Sequence, residues 1–132
     1  MKEVIEKFKK IEKKLITYRE IESLPLGVEI DFSIPKDNSI LCTRLSDTSS
    51  GMSFRVVMQS NTKWENHMHD CDETIMVFKG RIKGLLNNII AGRGSIIEIP
   101  KKTYHEIYAE EYSQFYVEFK KPLIENGTMA YR

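Results

Sequence analysis

Cysteine is scarce in this 132-residue sequence, histidine is hardly commoner, no apolar run is long, and neither sign of charge prevails. Two cysteines, Cys42 and Cys71, are too few for a disulfide framework in so small a chain, so both are expected as free thiols in a reducing compartment. The 20 basic residues and 19 acidic ones leave a formal net charge of +1. That balance gives no overall pull toward nucleic acid or an anionic membrane, and neither is expected as a partner. No apolar stretch approaches the roughly 18 residues that span a bilayer. The charged start, MKEVIEKFKK, lacks the apolar core of a signal peptide, and a cytoplasmic location is the expectation. Length predicts one domain with a core of its own. There is no internal repeat, low-complexity tract or long linker.

Two textures divide what is present. From Met1 to about Glu22 the apolar residues Val4, Phe8, Ile11, Leu15 and Tyr18 recur at steps of four and three among Lys and Glu, which predicts an amphipathic α-helix over residues 1–22. Pro25 and Gly27 stop it. The stripe suits packing on the parent domain or the seam of a homodimer. Beyond Pro25, short segments rich in Val, Ile, Phe, Tyr and Thr alternate with Gly, Pro, Asn and Ser at intervals of about 8–12 residues, an all-β signature. Strands are predicted near residues 28–32, 40–45, 52–59, 63–69, 74–79, 81–86, 95–99, 105–109 and 114–119. Asn87-Asn88 and Gly92-Arg93-Gly94 read as tight turns. The expected layout is a β-barrel or sandwich over 23–122 and an irregular tail over 123–132.

All three histidines, His67, His69 and His105, lie in or downstream of the segment WENHMHDCDETIMVFKG. Residues two apart on a strand share a face, so His67 and His69 point the same way. Asp70-Cys71-Asp72 makes a polar turn, after which Glu73 opens the next strand and can return its carboxylate to the pair. His105 opens a later strand that a closed barrel can bring alongside. Three imidazoles and one carboxylate suit a divalent first-row metal with positions left for water or substrate.

These residues resemble the two motifs of the cupins. The first, G-x5-H-x-H-x3,4-E-x6-G, is met by His67, His69, Glu73 and Gly80, with Asn61 in place of the leading glycine. The second, G-x5-P-x-G-x2-H-x3-N, is met by Gly94, Pro100 and His105, with Lys102 and Ala109 in place of its second glycine and its asparagine. The resemblance runs over about Lys63 to Ala109. It implies a double-stranded β-helix, or jelly roll, with the metal inside the barrel bound by His67, His69, Glu73 and His105.

Other residues receive plainer readings. Cys71 fits turn filler better than a fifth ligand. Tyr104 and Tyr108 alternate away from His105 and read as packing, while Arg55 would meet an anionic substrate only if its strand faced the other way. A metal bound by three neutral ligands and one carboxylate keeps positive charge, which favours a small anionic or enediol-type ligand. With iron this implies oxygenase chemistry; with zinc, manganese or nickel, lyase or isomerase chemistry. Glu73 is the candidate catalytic group beside the metal. The competing reading is a metal-dependent binding or sensing module without turnover.

Overall fold

The computed structural model describes residues 8–10, 15–17, 26–27, 29–31, 40–45, 51–86, 88–120 and 128–131. Thirteen strands run in chain order: β1 Phe8–Lys10, β2 Leu15–Thr17, β3 Glu29–Asp31, β4 Ile40–Arg44, β5 Gly51–Met58, β6 Lys63–His69, β7 Glu73–Lys79, β8 Arg81–Lys83, β9 Ile90–Gly92, β10 Ile96–Ile99, β11 His105–Ala109, β12 Ser113–Lys120 and β13 Thr128–Tyr131. They form a seven-stranded sheet, β1-β3-β4-β5-β12-β7-β10, and a six-stranded sheet, β2-β13-β6-β11-β8-β9. All neighbours are antiparallel except β1 and β3. Consecutive strands β6 and β7 belong to different sheets, the crossing that winds a jelly roll. No described helix is long and apolar enough to cross a membrane.

Period-two burial builds the core. On β12 every second residue, Ser113, Phe115, Val117 and Phe119, is buried. Its neighbours contribute Met52, Phe54, Val56 and Met58 from β5 and Ile75 and Val77 from β7. The opposing sheet adds Trp64, Ile82, Ala91, Ile107 and Ala109. Each strand so patterned buries one face and leaves the other to water, which fixes register because a one-residue slip would turn the apolar set outward.

The expected helix over 1–22 is not seen. The described residues of that span form β1, paired with β3, and β2, paired with β13; the rest of the span lies outside the described residues. Backbone pairing at two sheet edges outweighs a local period that reads as helical. A second correction concerns the tail expected to be irregular: its Thr128–Tyr131 is β13, which pairs with β6 and places Met129 opposite His69 and Tyr131 opposite His67.

Two turns depend on left-handed backbone. Gly80 has φ 84°, and an added Cβ would strike the Tyr112 carbonyl and the Ser113 side chain and Cα. Lys102, in place of a motif glycine, has φ 61° with an exposed side chain, a conformation that costs a non-glycine residue about 1 kcal/mol. Lys102→Gly is expected to raise stability by about 0.5–1 kcal/mol, and Gly80→Ala to lower it by about 2–3 kcal/mol. Urea denaturation checks both, and a Lys102→Gly protein weaker than wild type would show that the lysine side chain holds this turn.

Candidate metal centre

The centre lies between the sheets. β6 and β11 of the six-stranded sheet supply His67, His69 and His105, and β7 of the other sheet supplies Glu73. His67 and His105 are direct partners in the β6–β11 ladder, their rings 4.3 Å apart. The His69 ring lies 5.0 Å from that of His67 and 5.4 Å from that of His105. One nitrogen from each of the three imidazoles falls within 4.8 Å of the others. Glu73 closes the group, with Oε1 3.1 Å from His105 Nε2 and Oε2 3.6 Å from His69 Nε2. All four side chains are buried.

Local backbone features aim these groups. Between β11 and β6 the register slips from His105↔His67 to Ile107↔Trp64, so three residues on β6 span two on β11. This bulge turns Trp64 inward with His67 although they are an odd number apart. The Trp64 ring then stacks on His67 at 5.1 Å with planes 29° apart. Strict alternation along β6 does not predict that contact; Trp64 is a site neighbour that the sequence reading missed. On the next turn, Asp72 Oδ1 accepts from the Lys101 amide at 2.9 Å, and the His69 carbonyl accepts from the Lys102 amide at 2.7 Å. The left-handed Lys102 thus ties the approach to His105 directly to the end of β6. Asn61, in place of the leading motif glycine, is likewise left-handed, at φ 62°, and its Oδ1 accepts from Tyr108 Oη at 3.0 Å. Both positions keep the backbone shape without the glycine.

Hydrogen bonding sets the tautomers. His67 Nδ1–H donates to the Glu65 carbonyl at 2.7 Å, and His105 Nδ1–H to the Thr103 carbonyl at 3.0 Å. A carbonyl only accepts, so in its neutral form each ring keeps a lone pair at Nε2, as a metal-ligating imidazole does. His69 Nδ1 and Nε2, His105 Nε2 and Glu73 Oε1 make no hydrogen bond within the protein. His105 Nε2 and Glu73 Oε1 are in close electrostatic contact at 3.1 Å but are not aligned as a hydrogen bond. Buried polar atoms left unbonded are costly in an apolar interior, and three of these, His69 Nε2, His105 Nε2 and Glu73 Oε1, lie about the Glu73 carboxylate. A divalent cation satisfies such donors, so the residues present fit one.

The other residues considered are placed elsewhere. Arg55 and Tyr104 are exposed and Tyr108 is half-buried on the outer face. Cys71 and Cys42 are buried free thiols. A solvent-open groove of about 560 Å³ involving Lys63, Lys83, Ile90 and Tyr108 also lies on the outer face of the six-stranded sheet. Its charges already pair with one another, Lys63 with Glu106 at 3.0 Å and Lys83 with Glu110 at 3.2 Å.

Burial pushes the His67 pKa down to about 3, helped by the charge of His105. Burial also holds His69 well below 6.5, with His67 and His105 adding to the effect. At His105 burial acts in the same direction but is outweighed by Glu73 and the Thr103 carbonyl, and its pKa is raised. In the metal-free protein, His67 and His69 therefore take up protons only on unfolding as pH falls below 6.5. The contribution of His105 is complete below 6.5 and fades as pH rises through its raised value. Stability of metal-free protein should thus fall from pH 6.5 to 5, with a slope approaching about 1.4 kcal/mol per pH unit for each of the two histidines. Urea midpoints in chelator check this, and equal midpoints at the two pH values would contradict it.

By sequence the chain matches no protein-family model and no curated protein. Solved structures are similar in fold. An acetylacetone dioxygenase from Acinetobacter johnsonii superposes with a TM-score of 0.61 at 16% identity, over 74% of this chain and 71% of that one. An RmlC-like cupin from Desulfovibrio desulfuricans gives 0.57 at 18% identity, over 64% and 84%. A chain from the complex of SigE with the anti-sigma ChrR of Rhodobacter sphaeroides gives 0.57 at 14% identity, over 62% and 45%. Two sheets wound as a jelly roll, a histidine cluster between them and these neighbours lead to one conclusion: the chain has the cupin fold.

Proposed function

We propose that the chain is a mononuclear metal-dependent enzyme holding one divalent transition metal, Fe, Zn, Mn or Ni, through His67, His69, His105 and Glu73, and acting on a small anionic or enediol-type substrate. The observation that carries this reading is the convergence of one nitrogen from each of the three buried imidazoles, with His69 Nε2, His105 Nε2 and Glu73 Oε1 making no hydrogen bond within the protein. Three nitrogens and one oxygen leave positions open on a first-row ion, whereas a structural zinc site is closed and usually contains thiolate. The metal supplies Lewis acidity and, as iron(II), access to dioxygen. Of these outcomes we favour oxygenase chemistry, in keeping with a fold shared with a dioxygenase.

The chain's own residues supply position and a dry site. The Glu65 and Thr103 carbonyls hold the neutral His67 and His105 rings in the tautomer that keeps a lone pair at Nε2. Trp64 packs on His67 and Phe119 on His69, with Phe54 against Phe119, and together they exclude water. A low-dielectric wall of this kind strengthens every charge interaction inside it. Glu73 is the one carboxylate among the buried described residues. We assign it a second role: its carboxylate receives the proton released when a weakly acidic ligand binds as an anion.

Protein purified without added metal is expected to hold about one transition-metal ion per chain. His67→Ala, His69→Ala and His105→Ala should each lose most of it while the β-sheet circular dichroism persists. Trp64, the only tryptophan, stacks on His67, so reloading with a paramagnetic ion should quench its fluorescence. Substrate-dependent oxygen uptake that disappears in His67→Ala supports the enzyme. Ligand binding without product would favour the binding module, and wild-type protein that neither carries nor takes up metal would end both readings.

A further inference from the structure

We propose that two copies of this chain pair through the outer faces of their seven-stranded sheets, about a two-fold axis that runs along β12 and β7. The inference is independent of the metal-centre reading. The two sheets meet water differently. On the six-stranded sheet, outward side chains form ion pairs, Lys63 with Glu106 and Lys83 with Glu110, and the edge strand β9 exposes Ile90. On the seven-stranded sheet, Met76, Phe78 and Ile96 are 36%, 47% and 61% exposed. Tyr116 stands beside them, its ring edge to face with that of Phe78 at 6.1 Å. Phe78 owes its place to a bulge, where the β7–β12 register passes from Lys79↔Gln114 to Val77↔Phe115. Apolar groups gathered on one sheet face and left in water mark an interaction surface.

The register maps this face. Thr43, Arg55, Tyr116, Met76 and Ile96 form one outward row across β4, β5, β12, β7 and β10. Ser53, Glu118, Thr74 and Glu98 form the row beside it. Half-buried Leu41 and Val57 extend the face on the other side. Tyr116 and Met76 therefore hold the middle, with the cation Arg55 on β5 to one side and the carboxylate of Glu98 on β10 to the other.

That disposition of charge selects a second copy as the occupant. An in-plane two-fold axis along β12 and β7 lays β12 of one copy on β7 of the other, and β5 on β10. Tyr116 then meets Met76 of the second copy, twice by symmetry. Arg55 comes over Ile96 of the second copy, one row, about 6.8 Å, from its Glu98, a step that a long guanidinium side chain spans. Within the chain Lys120 lies 3.2 Å from Glu98 Oε1, yet the Glu98 side chain is 72% exposed and open to a second cation. Five strands about 4.8 Å apart and three rows about 6.8 Å apart make a face of roughly 24 by 20 Å, so a pair covers about 1,000 Å², the lower end for a specific interface. The dimer is accordingly a weak one that forms at micromolar concentration.

Sedimentation velocity of the full-length protein tests this. Wild type is expected to pass from monomer to dimer with a dissociation constant of about 1–100 µM. Met76→Lys, which sets a charge at the centre of the face, should weaken the dimer about a hundredfold or more. Arg55→Glu should weaken it about tenfold or more, and Arg55→Glu combined with Glu98→Arg should return it to within about threefold of wild type. Wild type that stays monomeric at about 500 µM overturns the proposal. So does a dimer that withstands Met76→Lys, one that Arg55→Glu leaves at full strength, or one that the double exchange fails to restore. The wild-type measurement needs no variant, so a variant that fails to fold does not shield the proposal.

Discussion

Burying polar atoms without hydrogen-bond partners is the constraint on which this structure turns. The inter-sheet space is lined by apolar side chains from β4 through β12, yet His67, His69, Glu73 and His105 converge within it. Each neutral imidazole or carboxylate held there forfeits its hydration, and the protein returns hydrogen bonds to only some of the atoms. Burial accordingly keeps His67 and His69 neutral, and neutral imidazole is the form that ligates a metal. The same burial that costs stability therefore keeps these two imidazoles in the form able to ligate.

The fold keeps that arrangement in register across two sheets. Glu73 reaches His69 and His105 from the opposite sheet because the β6–β7 turn crosses between sheets. His105 meets His67 because antiparallel pairing makes them direct partners. The turn before β11 is fastened to β6 and to Asp72 by backbone amides. Such support would hold the proposed ligand set in place before an ion arrived.

The histidines and Glu73 were legible in the sequence because strand alternation and a short turn translate fixed spacing directly into fixed direction. Most barrel strands were legible for the same reason, their buried faces following period two. Trp64 was not, since a bulge changes the parity of β6 and only the β11 register reveals it. β1 and β2 were misread as helix because edge strands take their pairing from distant chain, which a local period cannot show. β13 is only four residues long and owes its place to β6 and β2. Arg55 drew attention on charge alone and faces solvent.

The central claim is that three imidazoles and a carboxylate oxygen share one ion inside the barrel. X-ray absorption at the edge of the bound metal reads that ligand set directly. The account predicts a first shell of nitrogen and oxygen at about 2.0–2.2 Å, with the outer-shell scattering of about three imidazoles and no sulfur. A sulfur shell near about 2.3 Å, bringing in Cys71 or Cys42, or scattering from fewer than two imidazoles, would contradict it.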